Sequence, residues 1–280
     1  MDNQINYYNE QLVSDAFNGQ SLVFDELYST NSIIQYKRER VRDHLIKYLK
    51  PGSHILELNA GTGDDAIFLA QKGYHVHATD ISSGMQKKLV EKLIRKEVNG
   101  NVTNEICSFT ALNTLKNKGP YDAIFSNFAG LNCTGDLKQV LASFDTLLKP
   151  EGIVVLVILP GFCLWESLLL LKGKFKTATR RLFSSNGRRA NVEGVSITCW
   201  YYSPDFVIRR MKDKFNLIGI EGLCTIVPPS YMEKFPEKHP GLYSYLCKAE
   251  NRYKSKWPWK YIGDYYIISF RKKIQLTTSQ

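Results

Sequence analysis

The sequence predicts an α/β fold in which a mostly parallel β-sheet carries helices on both faces. Three observations support this prediction. Between residues 53 and 160, short apolar runs alternate with amphipathic segments. A glycine-containing turn joins the first apolar run to a helix-like segment. The 280 residues, 44% of them hydrophobic and 12% aromatic, are also enough to bury a substantial core, which excludes a disordered chain.

Each predicted strand is a short apolar run that a turn or a polar residue ends. The predicted strands cover residues 54–59, 75–80, 102–108, 121–127, 152–159, 217–223 and 264–270. The helices between them cover residues 64–72, 83–98 and 136–149, and Pro150 and Gly152 end the last of these. Residues 12–49 are also predicted to be helical, because Val41, Leu45 and Leu49 recur at helical spacing.

The chain divides into four predicted parts. Residues 1–50 form a helical cap, residues 51–160 form a ligand-binding core, and residues 203–280 complete the sheet. Residues 161–202 interrupt the alternation with an apolar stretch, a basic stretch and a predicted hairpin around Glu193-Gly194. We expect this insert to form a lid at one end of the sheet.

Composition limits the possible functions. The six cysteines are spread singly, which predicts reduced thiols and no metal site. No apolar run reaches about 18 residues and the amino-terminal segment is polar, so we expect a cytoplasmic protein without a membrane span. The net charge of +10 attracts phosphates, acidic carrier proteins, membranes or nucleic acid, and charge alone does not choose among them.

The turn Asn59-Ala60-Gly61-Thr62-Gly63 predicts a site for a nucleoside-like ligand. Its glycines allow a ligand to approach the backbone at the end of the first strand. No Lys-Ser/Thr pair follows, and Asp64 and Asp65 would repel a phosphate at the helix amino terminus. Asn59 tolerates a left-handed backbone, and we expect its side chain to lie against the ligand, with a purely backbone role as the alternative.

Two carboxylates accompany this turn. Asp80 ends the second predicted strand about twenty residues later, where an acidic side chain accepts both hydroxyls of a ribose. The alternative role of Asp80 is to cap the helix that begins near Ser82. Glu57 lies inside an apolar strand, and because a buried carboxylate needs partners, we expect a role at the site rather than a lone structural one.

These features together resemble the S-adenosylmethionine-dependent methyltransferases of the seven-stranded Rossmann-like type, in their small-molecule branch. The resemblance is strong over residues 22–160 and weak over the last two strands. It implies a seven-stranded, mostly parallel sheet whose last strand is antiparallel, with an amino-terminal helical cap and a lid after strand five. The implied cofactor is S-adenosylmethionine, and S-adenosylhomocysteine is the implied product.

The resemblance also implies which residues contact the cofactor. Along its methionine and ribose portions these are Glu57, Asn59, Ala60, Gly61, Gly63 and Asp80. Around its adenine they are Ile81, Met85, Ser108 and Phe109, where Ser108 departs from the commoner Asp, so that a weaker or water-bridged contact is expected. Near its methionine end and the methyl acceptor they are Asn127 and Phe128. Tyr28 and Arg38 are expected to reach its amino acid moiety; the alternatives are a packing role for Tyr28 and a surface charge for Arg38.

The sequence does not identify a general base. His54, His75 and His77 lie in or at predicted strands and are expected to be structural. His239 lies in a predicted carboxy-terminal loop and remains a weak catalytic candidate.

The acceptor is predicted only as a class. The segment Asn127-Phe128-Ala129-Gly130 lacks the paired prolines found in many base and amide methyltransferases, which argues against a nucleic acid. Trp165, Trp200 and Tyr202 accompany the basic residues of the insert and are weak candidates for substrate binding; a solvated basic surface is the alternative. We therefore predict O-methylation of a small or medium-sized aromatic or acyl metabolite, free or tethered to a carrier. An RNA methyltransferase and a non-catalytic binding module remain the alternatives.

Overall fold

The computed structural model describes residues 2–98, 100–173, 175, 179–181 and 186–274. A seven-stranded sheet lies at its centre, with the strand order β3-β2-β1-β4-β5-β9-β8. These strands are β1 (His54–Leu58), β2 (His75–Asp80), β3 (Val102–Ile106), β4 (Tyr121–Ser126), β5 (Leu148–Ile158), β8 (Phe215–Leu223) and β9 (Tyr265–Lys272). The strands β6 (Arg188–Val192) and β7 (Val195–Cys199) form a separate hairpin.

The direction of the strands confirms the predicted fold class. Strands β1 to β5 pair in parallel, whereas β9 lies between β5 and β8 and is antiparallel to both. The last strand of the chain is therefore the antiparallel one, as expected. Since β2, β1 and β4 are adjacent and parallel, their carboxyl ends meet at one edge of the sheet.

Ten α-helices are assigned within the described residues. They are α1 (Asp2–Gln20), α2 (Phe24–Ser29), α3 (Ser32–Ile46), α4 (Asp64–Gln71), α5 (Ser83–Lys96), α6 (Leu137–Leu147), α7 (Leu164–Leu168), α8 (Pro204–Met211), α9 (Phe235–Lys238) and α10 (Pro240–Tyr253). None of the helices in the described part of the chain combines the length and the apolar character that crossing a membrane requires.

Two apolar cores form on the two faces of the sheet. The alternation of side chains along β1 sends Leu56 and Leu58 to one face and Ile55 to the other. Helices α6 and α8 cover the first face, and α3, α4 and α5 cover the second. The β-α alternation of the sequence thus produces helices on both faces.

The amino-terminal region differs from the continuous helical stretch predicted for residues 12–49. Three helices occupy it, and α1 begins ten residues earlier than predicted. The break before α3 has a local cause, because the Asn31 side chain accepts hydrogen bonds from the backbone N–H groups of Ile33 and Ile34. A capping asparagine starts a new helix at this position.

The predicted hairpin is present in the insert. Glu193 and Gly194 both have positive φ angles, 47° and 83°, as in the two-residue turns that match the twist of antiparallel strands. Ser203 caps α8 by accepting from the backbone N–H of Phe206, and Pro204 begins that helix.

Candidate active site

A cavity of about 330 Å³ lies at the carboxyl ends of β1, β2 and β4, beneath the amino-terminal helices. This is the crevice where doubly wound sheets bind ligands. Nine of the predicted cofactor residues line it, namely Tyr28, Arg38, Asn59, Gly61, Asp80, Ile81, Met85, Phe109 and Phe128. The structure therefore brings together residues that are up to 100 positions apart in the sequence.

The turn after β1 has a backbone that only certain residues allow. Gly61 and Gly63 have φ angles of 57° and 80°. At Gly63 a Cβ atom would also lie 2.0 Å from Cδ1 of Leu89, so that glycine is needed for space as well as for conformation. The N–H of Ala60 donates to the carbonyl oxygen of Thr79 at 2.9 Å, which ties the turn to β2. Ala60 and Gly63 thus shape the turn without lining the cavity.

Asn59 connects the ends of β1 and β4. Its φ angle of 46° lies in the left-handed region that the sequence predicted. The Oδ1 atom accepts from the Ser126 hydroxyl at 2.6 Å, and Nδ2 donates to the carbonyl oxygen of Asn127 at 2.8 Å. Gly130 makes room for this side chain, because a Cβ atom there would lie 2.3 Å from Cγ of Asn59. The Asn59 amide therefore lines the cavity while it is hydrogen-bonded to Ser126 and to the backbone of Asn127.

Asp80 holds the two backbone segments that border the cavity. Its Oδ2 accepts from the N–H of Gly61 at 2.9 Å and its Oδ1 from the N–H of Ser82 at 2.8 Å. Burial raises the pKa of Asp80, and these backbone N–H groups oppose that rise. The hydroxyl of Ser82, not Asp80, accepts from Met85 N–H at the start of α5. Both Asp80 oxygens retain lone pairs that can accept further hydrogen bonds, as a ribose diol requires.

The segment after β4 is strained where it meets the cavity. Phe128 and Ala129 have φ angles of 49° and 60°, which non-glycine residues rarely adopt. The Oδ1 atom of Asn127 accepts from the N–H of Phe128 at 2.7 Å and supports this conformation. The strain places the Phe128 ring in the cavity wall, 4.8 Å from the Arg38 guanidinium carbon.

A buried ionic cluster lies behind the cavity. Asp65 accepts from Arg42 at 2.7 Å and from Asn127 Nδ2 at 2.8 Å, and it lies 3.3 Å from Arg38. Burial raises the pKa of Asp65, but the two guanidinium groups more than offset this and hold it below its usual value. Burial and the charge of Asp65 instead raise the pKa of Glu57 well above its usual value. Glu57 and Asn127 do not line the cavity; Asn127 contacts its wall through the N–H of Phe128, and the charge of Arg38 opposes the rise in the pKa of Glu57.

Of the two residues after β3 that the resemblance places at the adenine, only one lines the cavity. Phe109 lines the cavity and so does Cys107, whereas the Ser108 side chain does not. The Ser108 hydroxyl accepts from Thr110 N–H at 3.2 Å and lies 2.8 Å from the Thr110 hydroxyl. Ser108 thus caps a short 3₁₀ helix, Phe109–Thr114, instead of reaching into the cavity.

The cap supplies cavity residues that the sequence did not reveal. Val13, Phe17 and Gln20 of α1 line the cavity together with Lys37 of α3. All three α1 residues lie inside the helical region predicted for residues 12–49, but α1 lacks a strong apolar stripe that would mark its inner face. Gln20 is buried, and its Oε1 atom has no hydrogen-bond partner among the described residues. Such an atom favours a ligand that donates a hydrogen bond.

An ionic contact holds α2 against the glycine turn. The ammonium group of Lys92 donates to Asp25 at 2.7 Å, to Asp64 at 2.6 Å and to the Thr62 hydroxyl at 2.9 Å. Lys92 is buried on α5, so one side chain joins the cap, the turn and the core. This contact keeps Phe24 and Tyr28 of α2 over the cavity.

The aromatic residues proposed from the insert have other positions. Trp200 packs in the core, and its backbone N–H and carbonyl oxygen bond to Asn132. The Tyr202 hydroxyl donates to the carbonyl oxygen of Thr134. Trp165 lies half-buried in α7, and none of the three lines the cavity. All three were predicted to bind the substrate because they are aromatic. Two of them, Trp200 and Tyr202, are buried in the core instead, because large aromatic side chains gain most from burial.

The hairpin nevertheless reaches the cavity, through Val192. In the basic part of the insert, Arg180 and Arg181 both donate to Glu166. Lys174 and Lys176 lie outside the described residues. His239 precedes α10 with its ring 5.2 Å from that of Phe235, and it does not line the cavity.

Comparison with known proteins identifies the core. Residues 55–152 match a family model described as a methyltransferase domain. The fold matches that of Burkholderia thailandensis 1,6-didemethyltoxoflavin-N1-methyltransferase, solved with 1,6-didemethyltoxoflavin and S-adenosylhomocysteine, with a TM-score of 0.57 and 12% identity over 96% of this chain and 91% of that one. Residues 55–152 therefore form a methyltransferase domain.

Two relatives in sequence resemble the chain beyond the methyltransferase domain. An uncharacterised protein from Methanocaldococcus jannaschii is 26% identical over 76% of this chain and 78% of its own length. A demethylmenaquinone methyltransferase from Bacillus mycoides is 30% identical over 52% of this chain, and the chain spans 61% of its length. Both matches are longer than residues 55–152, so the similarity extends outside the methyltransferase domain.

The residues present fit the cofactor of this domain type. The glycine turn leaves the backbone open, the Asp80 carboxylate borders the cavity, and the unpartnered oxygen of Gln20 lines it. The Asp80 carboxylate and the Gln20 oxygen are hydrogen-bond acceptors, as a ribose diol and an amino group require. The acidic residues nearby suit a cofactor with a cationic sulfonium centre.

Proposed function

We propose that this methyltransferase domain transfers the methyl group of S-adenosylmethionine to a small or medium-sized aromatic or acyl metabolite, with oxygen as the favoured accepting atom. One observation carries the proposal: a single cavity joins the glycine turn and Asp80 to a wall of apolar and aromatic side chains from the cap. Its volume of about 330 Å³ is at the lower end of small-molecule sites. Because the cofactor and the acceptor have to share this cavity, its size favours a compact acceptor.

The proposed cofactor contacts follow the cavity wall. Asp80 would accept the ribose hydroxyls, Ile81 and Met85 would pack against the adenine, and Arg38 would bind the carboxylate of the amino acid end. When bound, S-adenosylmethionine supplies a methyl group that is activated by its positive sulfonium sulfur. The carboxylates around Arg38 keep the charge of this region balanced, since Asp65 and Asp64 lie 3.3 and 3.6 Å from its guanidinium.

The chain contributes alignment and exclusion of water. Methyl transfer is an in-line displacement, so the cap and the Phe128 wall need to hold the acceptor in line and keep water out. The described lining residues include no histidine, and burial raises the pKa of Tyr28 and Tyr265, so these hydroxyls keep their protons at neutral pH. We infer that the acceptor is nucleophilic without help from an enzyme base.

The named acceptors of related proteins support a small molecule. Demethylmenaquinone and 1,6-didemethyltoxoflavin stand in the names of two of the methyltransferases compared above. The second name specifies methylation at a nitrogen, so oxygen is not the accepting atom in every protein of this fold. We propose oxygen as the accepting atom for this chain, because the proposed acceptor is an aromatic or acyl compound.

The RNA alternative loses part of its basis. It relied on the basic residues of the insert, but Glu166 accepts hydrogen bonds from both Arg180 and Arg181, and Arg181 is buried. The buried guanidinium of Arg181 is therefore closed to a phosphate, whereas Arg180 is half-exposed and Arg188 and Arg189 of β6 are exposed. A carrier-tethered acceptor would meet the same surface and remains part of the proposal.

A product assay tests the proposed function. The protein would be incubated with S-adenosylmethionine and separate panels of phenols, carboxylic acids, acyl thioesters on an acidic carrier protein, and RNA. We expect S-adenosylhomocysteine to form above the acceptor-free rate with a small aromatic or acyl compound. Turnover with RNA alone, lost at high salt, would contradict the proposal and support the RNA alternative. Cofactor binding without turnover on any panel would support a binding module.

A further inference from the structure

Lys37 is a buried cation in the wall of the cavity. The side chain comes from α3 and the residue is only 2% exposed. Its ammonium group donates to the Ser230 hydroxyl at 3.1 Å and lies 4.6 Å from the centre of the Tyr265 ring and 5.7 Å from that of Phe128. Lys37, Ser230, Tyr265 and Phe128 all line the cavity. No carboxylate of the described residues lies within 4.0 Å of its nitrogen.

Other buried cations of this fold have carboxylate partners. Lys92 contacts two carboxylates, at 2.7 and 2.6 Å. Arg40 lies 3.2 Å from Glu221 and 3.3 Å from Glu250. Because an uncompensated buried charge is costly, such pairing is the usual solution. The neutral partners of Lys37 therefore leave a positive charge in the cavity for something else to balance.

The surroundings of Lys37 favour its charged form. Burial lowers the pKa of Lys37, but its neighbours Tyr265, Cys224 and Asp264 together raise it above its usual value. The carboxylate of Asp264 accepts a hydrogen bond from Arg181 at 2.7 Å, so its charge is balanced by Arg181 as well as by Lys37. The cavity thus presents a charged ammonium beside two neutral hydroxyl groups.

Lys37 and Arg38 point to different parts of the cavity. Arg38 is directed toward Asp64 and Asp65 at the start of α4, next to the glycine turn. Lys37 is directed toward Ser230 and Tyr265, where β9 begins beside the end of β5. Both cations lie near the ring of Phe128, whose centre is 5.7 Å from Lys37 Nζ and 4.8 Å from the Arg38 guanidinium carbon. Arg38 is therefore on the cofactor side, and Lys37 is on the side left for the acceptor.

We propose that Lys37, with the hydroxyl groups of Ser230 and Tyr265, binds an anionic oxygen group of the methyl acceptor, and that this group is a carboxylate. This inference rests on the proposed function and specifies its substrate class. One uncompensated ammonium matches a single negative charge, whereas a phosphate dianion would leave excess charge in an apolar cavity. The acceptor is accordingly an aromatic or acyl compound that carries one carboxylate.

The test compares a charged probe with a neutral probe of the same shape. Protein saturated with S-adenosylhomocysteine would be titrated calorimetrically with 4-hydroxybenzoate and with 4-hydroxybenzamide. The variants are Lys37→Met, which removes the charge, and Lys37→Arg, which keeps it. Lys138→Met is the matched control, because it makes the same change at an exposed position on α6.

We expect the wild type and Lys138→Met to bind the benzoate at least tenfold more tightly than the benzamide. Lys37→Met should lose this preference, Lys37→Arg should keep most of it, and all variants should bind S-adenosylhomocysteine within threefold of the wild type. An equal affinity of the wild type for both probes would overturn the inference. A tenfold loss of S-adenosylhomocysteine affinity in Lys37→Met would also overturn it, because Lys37 would then hold the cofactor carboxylate.

The same titrations separate this inference from the proposed function. A folded wild type that binds no S-adenosylhomocysteine would overturn the proposed function and this inference together. Normal S-adenosylhomocysteine binding without a preference for the carboxylate would overturn only the assignment of Lys37. Binding of S-adenosylhomocysteine by Lys37→Met also shows that the variant is folded.

Discussion

Single residues at the carboxyl ends of β1, β2 and β4 determine whether the cavity can bind a nucleoside. Asp80 orders the backbone at Gly61 and Ser82 and presents a carboxylate to the cavity. Asn59 joins the ends of β1 and β4 through its hydrogen bond with Ser126. Gly130 leaves the space that the Asn59 side chain occupies. Each of these residues combines a structural bond with a position in the wall. Substitutions here should therefore change binding more than global stability.

Replacing Asp80 by alanine should weaken the binding of S-adenosylhomocysteine by about 10- to 100-fold. The reason is the loss of hydrogen bonds from the ribose to a charged acceptor, which contribute about 1.5 to 3 kcal/mol each. Calorimetric titration measures the affinity, and circular dichroism checks the fold. Asp213→Ala, at an exposed turn before β8, is the control and should bind normally. Unchanged affinity in Asp80→Ala would remove this residue from the site.

Adding one methyl group at residue 130 should disturb the site. A Cβ atom there would lie 2.3 to 2.6 Å from three atoms of the Asn59 side chain, so Gly130→Ala has to displace this side chain. We expect at least a tenfold loss of S-adenosylhomocysteine affinity in the same titration. Gly161→Ala makes the identical change where the nearest atom is 3.9 Å away and should bind normally. Equal affinities for the two variants would show that the Asn59 position is not needed.

At this scale the sequence predicted conformations better than contacts. The left-handed backbone of Asn59 follows from its residue type and its place in a glycine turn. Its hydrogen bonds to Ser126 and Asn127 join positions about 67 residues apart, and no local pattern encodes them. Lys37 was missed for the same reason, since its burial results from helix α3 packing over the end of β9.

At the scale of elements, the strands carry the site and helix α10 stabilises one side of it. Glu250 of α10 is completely buried and accepts hydrogen bonds from four consecutive backbone N–H groups after β8, those of Cys224, Thr225, Ile226 and Val227. It also accepts from Arg40 of α3 at 3.3 Å. One carboxylate thus joins α10, the loop after β8 and the helix that carries Lys37.

Glu250→Gln should destabilise the fold strongly. The amide has one acceptor atom in place of two and removes the charge that balances Arg40, so we expect a loss of about 3 kcal/mol or more in the free energy of unfolding. Urea denaturation followed by circular dichroism measures this change. Glu233→Gln, at an exposed position, should have little effect and serves as the control. A loss below about 1 kcal/mol in Glu250→Gln would contradict the anchoring role.

The sequence predicted the elements of the sheet because each strand is a compact apolar run. The observed strand β2 has the predicted bounds, and β5 begins earlier because Leu148 already pairs with Tyr121. Helix α10 was not predicted. Glu250 is its one fully buried residue, while Tyr243, Leu246 and Cys247, which recur at helical spacing, are only partly buried against the core. Its attachment depends on a buried hydrogen-bonding carboxylate, which sequence patterns do not reveal.

For the whole molecule, one buried acidic group joins the cap to the sheet. Glu221 of β8 lies 3.0 Å from His44, 3.2 Å from Arg40 and 3.0 Å from Lys254. Burial raises the pKa of Glu221, but the hydrogen bond and charge of His44, together with Lys254, lower it well below the usual value. The folded state therefore prefers the ionised carboxylate, and this preference couples global stability to pH.

Acid should selectively remove the contribution of Glu221. A depressed pKa in the folded state stabilises the protein above the ordinary value of about 4.5, and this stabilisation is lost as the pH falls below it. Glu221→Gln should be less stable than the wild type at pH 7, and the difference should shrink between pH 5 and pH 3. Urea denaturation across this range measures it, with Glu233→Gln as the control. A difference independent of pH would contradict this account.

The overall organisation was predictable to the extent that it follows from alternating elements. The order of the glycine turn, Asp80 and the segment after β4 predicted the edge of the sheet where the cavity lies. The role of the insert was not predictable, because Trp200 and Tyr202 gain more from burial in the core than from a place in a cavity wall. Global packing decides this competition, and the sequence records only that the residues are aromatic.

The central claim is that the cavity at the ends of β1, β2 and β4 binds S-adenosylmethionine. Calorimetric titration of the wild-type protein with S-adenosylmethionine tests this claim most directly. The account predicts saturable binding with one molecule per chain, weakened in Asp80→Ala and unchanged in Asp213→Ala. A folded wild-type protein that shows no saturable binding, or one that binds equally well without the Asp80 carboxylate, would contradict it.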